Sequence, residues 1–134
     1  MGVEVRPGDR CSIGAGMRRA EAIVRINRRY GAQLNRRDTH FANINASKPV
    51  WWLDIPIQKV KGSVRTINLL LYDERVDDLH YLKVPTEYFR ANLSGLVVRD
   101  DKACISLELA ADGQHLFEDV RPTGKGIRFG QFKI

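Results

Sequence analysis

Nine arginines, Arg6, Arg10, Arg18, Arg19, Arg25, Arg28, Arg29, Arg36 and Arg37, lie within the first 37 residues and meet only three carboxylates there, Glu4, Asp9 and Glu21. That segment carries a net +6, which is the net charge of the whole chain; the residues after Arg37 hold 13 Lys/Arg against 13 Asp/Glu and are formally neutral. Every cation in the charged segment is a guanidinium, whose planar fork matches two oxygens of a phosphate, where an ammonium acts as a point charge. The chemistry implied is phosphate recognition on a polyanion.

Two further groups have the residue types for chemistry. Trp51 and Trp52 are adjacent, so in a strand their rings face opposite ways: one fills a core while the other is left for a partner, as a stacking platform for a base or an anchor between two copies of the chain. Pro122-Thr123-Gly124-Lys125-Gly126 has the composition of a phosphate loop but lacks the spacing, with no Gly five residues before a Gly-Lys-[Ser/Thr]. His40, His80 and His115 stand apart from any second ligand at zinc spacing, no Ser has a nucleophile-elbow context, and no cofactor motif is present.

The elements that must position these residues follow from periodicity. Ala20, Ile23, Val24, Asn27 and Tyr30 recur at helical spacing and Gly31 stands where a left-handed cap is expected, predicting a helix from Met17 to about Tyr30. On it Arg18, Arg25 and Arg29 fall near one line, and Arg28, Arg36 and Arg37 extend the positive surface. Residues 1–15 read as an arm or loose first strand ahead of a Gly14-Ala15-Gly16 hinge, and Asn35 to Lys48 as a long polar connection. Trp51 to Ile57 alternates as a strand, with Pro56 placing it at an edge or bulge. Val64 to Asp73 is apolar enough to be central, and Leu79 to Val84 returns as its hairpin partner. A short helix begins near Thr86, a candidate cap; Leu96 to Arg99 and Ala103 to Ala110 form a second hairpin, and Ile127, Phe129 and Phe132 a terminal strand.

This order predicts an α+β fold: a mainly antiparallel sheet of about five to six strands, with an N-terminal helix and a second short helix packed on it. The 134 residues suit one domain, 1–134. Cys11 and Cys104 are too few and too far apart for a disulfide framework, and no apolar run approaches a membrane span, so a cytoplasmic setting without membrane contact is expected.

Over roughly residues 17–109 the order of elements resembles that of the restriction-endonuclease-like superfamily. Its active members place an Asp on one central strand and Glu-x-Lys or Asp-x-Lys on the next, around Mg²⁺. Asp73 and Lys83 occupy the corresponding places, but the tripeptide is Tyr81-Leu82-Lys83, without the second carboxylate. The reading that follows is a non-enzymatic nucleic-acid-binding protein with Arg18, Arg25, Arg28, Arg29, Arg36 and Arg37 on the phosphate backbone. A homodimeric interaction module using Trp51 and Trp52 is the first alternative, and a divergent metal-dependent nuclease the second.

Overall fold

Residues 16–134 are described by a computed structural model; the expected arm or first strand, and most of the hinge, fall in residues 1–15, outside the described residues. The most apolar segment takes the most enclosed place. Strand β3 (Thr66–Asp73) lies between β1 (Thr39–Asn43), to which it is parallel, and β4 (Asp78–Pro85), its antiparallel hairpin partner. A second sheet, wholly antiparallel, has β6 (Cys104–Ala110) between β2 (Val50–Pro56) and β5 (Val97–Arg99).

The fold is therefore α+β with six strands and mostly antiparallel pairing, divided into two three-stranded sheets. The division has a simple cause. Strands β2 and β6 alternate, so each has one apolar face to cover, and Trp51, Leu53, Ile55, Ile105, Leu107 and Leu109 turn that face onto Ile67, Leu69, Leu71, Leu82 and Val84 of the first sheet. Because β3 is apolar on both faces, its alternate residues Leu70 and Tyr72 remain to be covered from the other side.

Helix α1 (Arg19–Tyr30) supplies that cover with Ala22, Ile23 and Ile26, which pack on Leu70, Tyr72, Leu79 and Tyr81. It ends where the sequence predicts: Gly31 adopts φ 63°. Met17, just before the helix, exchanges hydrogen bonds with the Asn43 side chain, its N–H donating to Oδ1 at 2.8 Å and its carbonyl accepting from Nδ2 at 2.9 Å. These bonds tie the start of α1 to the end of β1.

Several expectations are corrected. The connection from Asn35 to Lys48 contains β1, a strand too short and too polar at His40 and Asn43 to show a period. Ile57 starts a short helix, α2 (Ile57–Lys61), rather than ending a strand; Pro56, held at φ −57°, is its N-cap residue, and the Ile57 N–H still donates to the Ala103 carbonyl of the neighbouring segment at 2.9 Å. Thr86 opens α3 (Thr86–Ala91) but does not cap it; its side chain is buried and its Oγ1 has no partner. The terminal strand does not form. Phe129 is buried as its apolar character requires, but the chain tightens into a 3-10 turn at Gly130–Phe132, leaving isolated bridges from Arg128 to Glu118 and from Lys133 to Leu82. No helix among the described residues is long and apolar enough to cross a membrane.

Candidate nucleic-acid interface

Strands β1 and β2 are the end strands of their two sheets and lie side by side, joined by the reversal of residues 44–49. Edge strands leave a seam on that side of the sandwich, and the seam opens into a cleft of about 320 Å³. Arg19, His40, Phe41, Trp52, Leu53 and Asp54 line it. Alternation along β2 decides how the two indoles divide. Trp51 is 0% exposed in the inter-sheet core, and Trp52, on the opposite face, is 51% exposed at the mouth of the cleft. Trp51 is thus unavailable to any partner: its ring stacks on Phe117 at 5.7 Å and its Nε1–H donates to the Tyr72 carbonyl at 3.0 Å.

His40 forms the back of this corner. The Lys59 ammonium, carried on α2, donates to His40 Nε2 at 3.1 Å and to the Arg37 carbonyl oxygen. Burial, first, and then the charges of Lys59 and Arg19 hold the imidazole down to a pKa of about 4, so at neutral pH it is uncharged and accepts that bond. Lys59 itself is pushed below its ordinary value, first by burial and then by Arg19 and Arg37, against the favourable pull of Asp38. Both shifts share a first cause, burial, with neighbouring cations adding to it.

Elsewhere five cations have acidic partners. Arg75 pairs with Asp73 and Asp112, each at 2.8 Å, and holds both carboxyls below the usual range. Lys48 meets the buried Glu108 at 2.6 Å, and Arg90, Arg99 and Arg128 face Glu87, Asp101 and Glu118. Of the arginines singled out in the sequence, Arg25 belongs with these, since it faces Glu21 at 3.3 Å and Asp77 at 3.6 Å on the side of α1 toward the β3–β4 turn. Arg18, Arg28, Arg29, Arg36 and Arg37 are exposed and form no ion pair with another described residue. Arg28 and Arg29 occupy the last turn of α1, with the Arg29 guanidinium 5.9 Å from the Tyr30 ring centroid, while Arg36 and Arg37 lie in the turn leading into β1.

Sequence spacing missed three members of the corner: Arg19, Lys59 and His40. Arg19 lies among the nine arginines but off the line of Arg18, Arg25 and Arg29. Lys59 is 22 residues from Arg37 and carries no local signal that links them. The nuclease pair is not assembled. Asp73 pairs in register with Asp78 and Lys83 with Asn68, which places them five residues apart along the hairpin, about 16 Å at ~3.3 Å per residue, and both Asp73 oxygens are engaged by Arg75. His80, half-buried on β4, has its ring against Trp51 and Phe117.

Compared with family models, with characterised proteins and with solved structures, the chain gives no match.

Proposed function

We propose that this protein binds nucleic acid through phosphate contacts made by the exposed arginines of α1 and the turn after it, with the β1/β2 corner at one end of the contact surface. One observation carries the reading: Arg18, Arg28, Arg29, Arg36 and Arg37, drawn from α1 and the turns that flank it, are exposed and form no ion pair with another described residue. Guanidinium groups left without acids are the usual electrostatic footprint of a phosphate backbone.

Titration with salt tests it. The logarithm of affinity for DNA or RNA is expected to fall linearly with the logarithm of salt concentration, in proportion to the phosphates neutralised. Joint replacement of Arg28, Arg36 and Arg37 by Ala is expected to weaken binding uniformly across sequences and to flatten that slope by about 1 for each phosphate no longer neutralised. A flat slope for the unaltered protein ends the proposal.

The half-exposed Trp52 on an end strand favours a second reading, a contact between two copies of the chain through the β2 edge. Sedimentation separates the two. A monomer at all concentrations, with salt-dependent binding, leaves only the first.

A further inference from the structure

The exposed arginines recognise a backbone, but they do not account for the cleft beside them. Its lining is chemically divided. At one end Arg19 and the imidazole of His40, backed by Lys59, present positive charge and hydrogen-bonding nitrogen. At the other, the Trp52 ring stands half out of the surface next to the Asp54 carboxylate, with Phe41 also lining the cleft. A phosphate or sulfate ion alone would leave the aromatic end unused, and the carboxylate would repel it from there. A purely apolar ligand would leave the cations unmatched.

We infer that the β1/β2 cleft accepts one unstacked nucleotide of a single-stranded nucleic acid, its base on the Trp52 ring and its phosphate toward Arg19 and the His40–Lys59 pair. This rests on the phosphate-binding reading above and specifies the form of nucleic acid it applies to. A flat aromatic ring beside cations is the combination by which single strands are held, because an unpaired base offers a face that a stacked duplex hides. The volume of about 320 Å³ lies at the small end of the ~300–1,000 Å³ typical of ligand clefts, enough for one nucleotide and not for a duplex. Asp54, beside the ring, is an acceptor for an exocyclic amino group and keeps the phosphate at the far end. Arg19 and Lys59, whose charges both act on His40, are cations that a bound phosphate would complement.

The two indoles make the test direct. Trp51 is buried, so quenching of fluorescence by an oligonucleotide reports on Trp52. Short oligo-dT and oligo-U are expected to quench and to bind more tightly than a duplex of equal length; comparing the two separates a DNA partner from an RNA partner. Trp52→Ala is expected to lower single-strand affinity roughly ten- to a hundredfold, the loss associated with one base stacked on an aromatic ring, bringing it down to that of the duplex. Trp52→Phe, which keeps a ring of similar shape, is expected to retain most of the affinity while abolishing the quenching. If duplex and single strand bind equally with a normal salt slope, or if Trp52→Ala leaves single-strand affinity unchanged, the cleft assignment is wrong while phosphate binding stands. Absence of salt-dependent binding to any nucleic acid overturns both.

Discussion

His40 is the residue at which the corner's electrostatics become measurable. Its folded-state pKa of about 4 lies below the ordinary 6.5 because burial and the Lys59 and Arg19 charges all penalise the imidazolium. Between those two values the unfolded chain takes up a proton that the folded chain refuses. Stability from this group is therefore present above pH 6.5 and lost as pH falls through the window toward 4, by up to about 3 kcal/mol. His80 is also lowered, first by burial, and acts in the same direction, so the two must be separated. Urea unfolding of His40→Gln and the unaltered protein between about pH 7 and pH 4 does so: the variant is expected to show the weaker dependence on pH. Equal dependence would mean that His40 is solvated and charged, and the corner would lose the desolvated character argued for it.

At the scale of elements, helix α1 decides where the cations can point. Its apolar residues Ala22, Ile23 and Ile26 fix one face against β3 and β4, so Arg19 is directed toward the β1 seam and Arg25 toward Asp77. The helix must stop at Tyr30 for the chain to turn back and deliver Arg36, Arg37 and β1. Gly31 makes that stop in the left-handed region, at φ 63°, with no neighbouring atom within 4 Å of where a Cβ would stand. Gly31→Ala is therefore expected to cost about 1 kcal/mol from backbone conformation alone, and Gly31→Asn less, in denaturant unfolding. The second end of the site, α2, owes its position to Pro56. That residue ends β2 and, held at φ −57°, stands as the N-cap of the turn of helix from which Lys59 reaches His40.

At the scale of the molecule, the two sheets share one continuous apolar cluster, and Trp51 links them. It projects from β2, packs on Phe117 and the edge of His80, and donates across the sandwich to the Tyr72 carbonyl of β3. That carbonyl also accepts from the Ile44 N–H, so it keeps a partner when the indole is removed. Trp51→Phe is accordingly expected to cost only about 1–2 kcal/mol, whereas Trp51→Ala, which empties the core between the sheets, should cost about 3–5 kcal/mol. Because the core joins both sheets, far-ultraviolet dichroism and Trp51 fluorescence are expected to report a single coincident unfolding transition. Separate transitions would show that the seam between β1 and β2 opens independently of the sheets.

Local pattern was enough to place most of the elements. Helical spacing with a terminal Gly marks α1, strict alternation with Pro56 marks an edge strand in β2, and the long apolar run from Ile67 to Tyr72 marks the central strand β3, because each depends on a periodicity contained within the segment itself. The concentration of arginine before Asp38 is likewise a property of composition. The rest depended on contacts between distant residues. β1 has no period of its own and exists because β3 offers a parallel edge; one expected sheet became two because the alternating strands needed apolar cover; and which tryptophan faces outward followed from which face of β2 met the core. The cleft is the product of all three. Arg19, His40, Trp52 and Lys59 share no spacing that a linear reading could detect, and only the packing of a helix and two end strands against one core brings guanidinium, imidazole, indole and ammonium to the same seam.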